Sequence, residues 1–217
     1  MSTDFASRNV VVTGASGGLG GAVVAALEAQ GARVHAPDIA AVDLTDEAAT
    51  AAYFAGVPRL WGSIHLVGGF TMAPIAETRL ADLDKMLSLN ARTCFLCCRE
   101  AVIAMRRGGG GGGRIVNVIA RPALLPATGA GMVAYTASKA AVAAITQSLA
   151  AEVLAEGILV NAVAPSIIDT PANRASMPKA DHTSWPKAED LARAIVALAS
   201  PANALTSGAL VPLYGRA

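Results

Sequence analysis

The chain has 217 residues, a formal charge of +1, and 53% apolar side chains with only 4% aromatic and 15% charged residues. That length fits one domain with a substantial buried core, and that composition excludes an intrinsically disordered chain. Seventeen basic against 16 acidic side chains generate no general field for a phosphate backbone or an anionic membrane, so any anion must be held locally.

Residues 1–8 carry Asp4 and lack the basic flank and apolar core of a signal peptide, and no later stretch approaches the roughly 18 apolar residues of a membrane span. A cytoplasmic protein is expected. Residues 8–13 form a β-branched run that reads as a strand, and residues 20–30 form an Ala-rich helix closed by Gly31. Between them lies the turn Thr13-Gly14-Ala15-Ser16-Gly17-Gly18-Leu19-Gly20. Its glycines permit tight turning and close backbone approach, and the helix start offers free N–H groups; together these suit a pyrophosphate. Residues 32–36 predict a second strand, and Asp38 lies just past it. A carboxylate there accepts hydrogen bonds from the adenosine ribose and repels a 2′-phosphate. Neither Ile39 nor Ala40 is basic and the glycine turn holds no Lys or Arg, so NAD is expected over NADP.

Further strands are predicted at 63–67, ending in Gly68-Gly69, and at 114–118, 158–163 and 209–213. Long helices are predicted at about 80–106, 134–156 and 187–199. Buried apolar strands alternating with helices imply an α/β fold, a doubly wound parallel sheet covered on both faces. No repeat or linker divides it, so residues 1–217 read as a single domain. Cys94, Cys97 and Cys98 crowd one predicted helix and read as reduced, apolar side chains, with a Cys94–Cys97 redox pair as the alternative. His35, His65 and His182 are scattered without metal-ligand spacing, and no metal is expected. The six glycines 108–113 precede no helix and read as a flexible connector. Residues 171–186 are irregular, and a surface loop at about 169–186 is expected to cover a site.

Tyr135 and Lys139 are four residues apart on the predicted helix 134–156 and so share one face. A phenol titrates near pH ~10 in isolation, and a neighbouring ammonium stabilises its phenolate, as acid–base chemistry near neutrality requires.

These residues resemble the short-chain dehydrogenase/reductase family. The resemblance rests on Thr13-Gly14-x-x-x-Gly18-x-Gly20, Asp43-Leu44 after the second strand, Asn90 within Leu89-Asn90-Ala91, Tyr135-x-x-x-Lys139, and Pro165 after the strand that holds Asn161. It implies a Rossmann-type three-layer sandwich and hydride transfer involving a nicotinamide. Tyr135 would then exchange the proton, Lys139 would hold the nicotinamide ribose and lower the phenol pKa, and Asn90 would anchor a proton relay. The resemblance places the cofactor against Gly14, Ser16, Gly18, Leu19, Gly20, Asp38, Asp43, Leu44, Gly68, Gly69, Asn90, Tyr135, Lys139, Pro165, Ile167, Ile168 and Thr170.

Two departures stand out. The family places a serine after the strand at 114–118, where this chain reads Ile119-Ala120-Arg121; an asparagine pair after the strand at 63–67 is replaced by Gly68-Gly69. A narrower resemblance links residues 169–186, Gly68-Gly69-Phe70 and Gly131-Met132-x-x-Tyr135 to the quinoid dihydropteridine reductases, which also do without the serine. It implies an NADH-dependent reductase of a quinonoid dihydropterin or similar planar acceptor. Phe70 and Trp185 would offer flat surfaces to such a substrate, while Arg121 and Arg174 read as solvated cations. Reduction of another ketone or quinone, and a non-catalytic dinucleotide-binding module, stay open as alternatives. Helices 80–106 and 134–156 are more apolar than one sheet face needs, so a homodimer or homotetramer is expected, with a small-molecule substrate and no nucleic-acid or membrane partner.

Overall fold

A computed structural model describes residues 5–37, 40–109 and 111–216. Six strands, β1 (Asn9–Thr13), β2 (Arg33–His35), β3 (Leu60–His65), β4 (Gly113–Val118), β5 (Ile158–Pro165) and β6 (Leu210–Leu213), form one sheet in the order β2-β1-β3-β4-β5-β6. Every pairing is parallel. The helices are α1 (Gly20–Glu28), α2 (Glu47–Ala55), α3 (Leu80–Met86), α4 (Thr93–Arg107), α5 (Arg121–Leu124), α6 (Val133–Val153), α7 (Pro171–Ser176) and α8 (Ala188–Ala199).

Period-two alternation along the strands feeds two separate cores. Val11, Ile115, Val160 and Ala162 pack with Phe54 of α2, Met105 of α4 and Val142 of α6. Val10, Val12, Ile64, Val116 and Val163 face the other way, onto Val23 and Leu27 of α1 and Leu191 and Ile195 of α8. Both sheet faces are therefore dry, and each fully buried aliphatic side chain contributes about 1.5–3 kcal/mol. This is the expected three-layer, doubly wound sandwich. β1 has β2 on one side and β3 on the other, so the strand order reverses at β1/β3 and opens a crevice beyond the carboxyl ends of those strands.

Three local expectations change. The third strand starts earlier, at Leu60, and ends at His65, because its register follows β1 through Gly62↔Val10 to His65↔Thr13. The predicted helix 80–106 is interrupted by a π-helical turn, Leu87–Arg92, between α3 and α4. Segment 171–186 is not wholly irregular: it holds α7 and a 3-10 turn, His182–Ser184. Its base is closed where Asp169 N–H donates to the Pro186 carbonyl at 2.9 Å. In the glycine tract, Gly113 has joined β4, while Gly109 and Gly112 take φ of +108° and +81°.

Candidate active site

Parallel strands deliver all their carboxyl ends to one edge of the sheet, so the segments after β1, β3, β4 and β5 emerge together. After β1, Gly14 turns the chain at φ +72°, and a Cβ there would lie 2.9 Å from the Val67 backbone nitrogen beyond β3. The glycine turn and the β3 exit are thus in backbone contact. Ser16 and Gly18 are exposed in the turn, Leu19 and Gly20 are buried, and the first turn of α1 has no acidic side chain to repel an anion. A Cβ on Gly18 would meet the Thr170 methyl at 2.7 Å, so the turn also touches the segment after β5. Thr170 caps α7, accepting from Asn173 N–H; Pro165 ends β5, Ile167 is exposed and Ile168 is half-buried.

Asn90 owes its position to the π turn. Its amide spans two neighbours: Oδ1 accepts from Gly69 N–H at 2.9 Å, while Nδ2 donates to the Gly69 carbonyl at 3.1 Å and to Ser138 Oγ at 2.9 Å. Ser138 in turn donates to the Tyr135 carbonyl at 2.7 Å. π turns are rare and recur at functional sites because they re-aim one side chain without breaking the helix. Lys139 is buried, donating to the Val118 carbonyl at the end of β4 at 2.8 Å. A Cβ on Gly68 would sit 2.6 Å from Asn90 Oδ1 and 3.2 Å from Lys139 Nζ. Gly68, Asn90 and Lys139 therefore converge.

Burial sets the electrostatics. It pulls the Lys139 ammonium down to about 8, partly offset by the Cys94 sulfur, and pushes the half-buried Tyr135 phenol up to about 12. The expected lowering of the phenol by Lys139 is not built into the protein alone; desolvation dominates because the Lys139 hydrogen bond goes to a backbone carbonyl. Phe70, 61% exposed, lies edge-on to Tyr135 with centroids 5.0 Å apart.

Other expected residues behave differently. Asp38 lies outside the described residues. Asp43 is exposed and accepts from Thr45 N–H and Oγ1, which holds its carboxyl below the ordinary range, whereas Leu44 packs into the core. Trp185 is buried against His182 and presents no free face. Arg174 is ion-paired with Asp169 at 2.5 Å, and the half-buried Arg121 stacks over Tyr214 at 4.9 Å, so neither is simply solvated. Ala120 is buried before α5 and brings no hydroxyl. Sequence spacing concealed one cluster altogether: His65 stands beside Cys94 and Cys98, brought there by the sheet.

A doubly wound parallel sheet with a glycine turn at its switch point, and a tyrosine–lysine pair at the carboxyl ends of its strands, defines an NAD(P)-dependent oxidoreductase. The chain belongs to the short chain dehydrogenase family, whose profile it matches over residues 36–181. It is 32% identical to the cis-4-hydroxycyclohexanecarboxylate dehydrogenase of Sinomonas cyclohexanicum, over 99% of this chain and 98% of that protein. It is 30% identical to the D-threitol dehydrogenase of Mycolicibacterium smegmatis, over 99% and 96%. Among solved structures, a short-chain type dehydrogenase/reductase from Mycobacterium ulcerans superposes with a TM-score of 0.89 at 27% identity, covering 99% of this chain and 90% of that one. A structure from Beutenbergia cavernae, described as an NAD(P)-dependent gluconate 5-dehydrogenase and holding NADP, gives 0.88 at 27%, over 99% and 98%. No helix of the described residues is long and apolar enough to cross a membrane.

Proposed function

We propose that this chain is an NADH-dependent reductase that delivers hydride to a planar, electrophilic acceptor of the quinonoid dihydropterin type. The observation that carries this reading is Ala120: where the family supplies a second hydroxyl, this site has a buried methyl. An ordinary ketone would miss that donor, since one aligned hydrogen bond can be worth ~2.7–4 kcal/mol in the transition state. A quinonoid ring is electrophilic already, so one proton donor suffices. The exposed ring of Phe70, edge-on to Tyr135, offers such a ring an apolar wall.

The residues fit a dinucleotide, because glycines at 14, 18 and 68 let the turn after β1, the exit of β3, and Thr170, Asn90 and Lys139 approach one another more closely than any side chain would allow, at the carboxyl edge of the sheet. When bound, the nicotinamide supplies the hydride. In our reading Ser16, Gly18, Leu19 and Gly20 hold the pyrophosphate, Asp38 and Asp43 hold the adenosine end with the backbone of Leu44, whose side chain is in the core, and Pro165, Ile167, Ile168 and Thr170 flank the nicotinamide with Gly68 and Gly69. Asp38 and the lack of a cation in the glycine turn favour NAD. Lys139, below its pKa of about 8 at neutral pH, is a cation that commits one of its three donors to Val118 and leaves two for a ribose, among the described residues. Tyr135, neutral up to about 12, holds the proton that a reduced product needs. Asn90 fixes the Gly69 peptide and, through Ser138, the first turn of α6. The segment 169–186 covers the substrate.

A second reading, oxidation of a secondary alcohol or reduction of its ketone, draws on the relatives named as dehydrogenases of hydroxycyclohexanecarboxylate and threitol. NADH oxidation with quinonoid dihydropterin, simple quinones and a ketone panel, by wild type and Tyr135→Phe, separates the two. Turnover of the pterin lost in Tyr135→Phe is expected. Efficient turnover of ketones alone would transfer the protein to the second reading, and tight NADH binding without turnover of anything would leave a binding module.

We also assign it to the cytoplasm, on its three free cysteines, and expect a homodimer or homotetramer. Phe95 and Ile103 of α4 are about half exposed and border a groove completed by Ile145 and Leu149 of α6. Light scattering should give a multiple of the chain mass that Phe95→Glu reduces.

A further inference from the structure

Behind Lys139 the fold assembles a cluster that neither the dinucleotide site nor the proton donor uses. His65, at the end of β3, meets Cys94 and Cys98 of α4; their nitrogen and sulfur atoms all lie within 4.8 Å of one another, and all three residues are buried. Cys94 Sγ is 3.9 Å from Cys98 Sγ, which is 3.7 Å from His65 Nδ1. Asn117 Oδ1, from β4, forms a fourth corner, 2.8 Å from His65 Nδ1 and 3.5 Å from Cys98 Sγ.

Two chemistries could use paired thiols here, and geometry separates them. Residues i and i+4 of a helix hold their Cβ atoms about 5–6 Å apart, beyond the ~3.5–4.5 Å that a disulfide needs. A tetrahedral ion with ~2.3 Å bonds to sulfur and ~2.0 Å to nitrogen instead wants sulfurs roughly 3.8 Å apart and sulfur to nitrogen roughly 3.6 Å apart. The observed 3.9 and 3.7 Å are close to both, all three atoms lie within 4.8 Å, and the 2.8 Å His65–Asn117 hydrogen bond would open to roughly 3.3 Å as the ion enters. Charge agrees as well: two thiolates, a neutral imidazole and a divalent cation sum to zero, which a dry interior tolerates. The supporting contacts are also in place. Ser63 Oγ lies 2.7 Å from His65 Nε2, and Asn117 Nδ2 donates to Thr146 Oγ1 at 2.9 Å, which aims Oδ1 at the cluster. Metal-bound imidazoles characteristically have their second nitrogen held in this way.

We propose that His65, Cys94 and Cys98 form a buried structural site for a soft divalent cation of the zinc class, with the Asn117 side-chain carbonyl as fourth ligand. The proposal departs from the expectation of no metal drawn from sequence spacing. On binding, each thiol gives up its proton to solvent as its sulfur–metal bond forms. The imidazole keeps one proton, which moves from Nδ1 to Nε2 while the Ser63 hydroxyl turns to accept it. The ion would tie β3 and β4 to α4 immediately behind Lys139.

Cobalt(II) is the probe. The full chain is stripped with chelator under reductant, cobalt is added stoichiometrically, and the thiolate-to-cobalt charge-transfer and tetrahedral visible bands are recorded. We expect one cobalt per chain, bands unchanged in Cys97→Ala, an equally buried cysteine of the same helix, and bands lost in Cys98→Ala and His65→Ala. One equivalent of zinc should bleach them, and affinity should fall on acidification as two protons are released. Should either alanine variant fail to fold, wild type still decides, since band intensity per cobalt counts the thiolates. Absence of charge transfer in wild type, its persistence in folded Cys98→Ala, or its dependence on Cys97 would overturn the site.

Discussion

A methyl group at Gly68 would press on the working ends of two side chains, with Asn90 Oδ1 2.6 Å away and Lys139 Nζ 3.2 Å. Gly68→Ala is therefore expected to displace both groups, lowering turnover at least tenfold and destabilising the fold by about 1–3 kcal/mol, the usual range for overpacking; steady-state kinetics and urea midpoints would check it. Tyr135→Phe removes only a hydroxyl, so thermal stability should stay close to wild type while turnover falls by about 10²–10⁴, the range for a general acid. Ala120→Ser does the reverse and adds a donor. If its hydroxyl reaches the substrate oxygen, ketone reduction should rise tenfold or more with pterin turnover nearly unchanged; a ketone rate equal to wild type would remove Ala120 from the argument for substrate choice.

At the scale of elements, the π turn between α3 and α4 is the device that turns Asn90 inward, and its amide bonds with Gly69 and Ser138 fasten the β3 exit to α6. Asn90→Ala leaves the half-buried Gly69 N–H and carbonyl without this partner and takes one donor from the buried Ser138 hydroxyl, which keeps its bond to the Tyr135 carbonyl, so a loss of about 1–3 kcal/mol is expected. Hydrogen exchange should then show faster opening at Gly69 before any other strand exit. The turn itself was not legible in residues 80–106, which read as one helix, because a single extra residue in a turn leaves the apolar periodicity almost unchanged. The β1 turn was legible, because only small residues tolerate its positive φ at Gly14 and its contact with Thr170. Segment 169–186 concealed its order in a polar composition; buried Trp185 and the Asp169–Pro186 hydrogen bond supply it.

For the whole molecule, Lys139 sets a pH dependence of stability. Its folded pKa of about 8 lies below the ordinary 10.5, so between those values the unfolded chain binds a proton that the folded chain has released. The contribution of Lys139 to stability consequently rises with pH across that window, by on the order of 2 kcal/mol from pH 7 to 9.5 at ~1.4 kcal/mol per unit of pKa shift, while the raised Cys94 and Cys97 thiols oppose it above pH 9. Tyr135, raised from 10 to about 12, acts oppositely, and stability falls again above pH 10. Urea unfolding of wild type and Lys139→Met at pH 7, 8.5 and 9.5 checks it: the stability of wild type relative to the variant should rise with pH over this range. Over the same range kcat/KM for reduction, which reports groups of the free enzyme, should fall above pH 8 as the ammonium is lost.

The sequence by itself determined the alternation of strands and helices, the glycine turn, and the tyrosine and lysine of one helix face, because each is written in local periodicity or in residues only a few positions apart. The tertiary structure alone decided that Gly68 and Asn90 close on Lys139, that burial raises the phenol and lowers the amine, and that His65 of one strand joins two cysteines of a helix. Those arrangements depend on strand register and on how tightly two layers meet, and neither quantity is carried by any single stretch of chain.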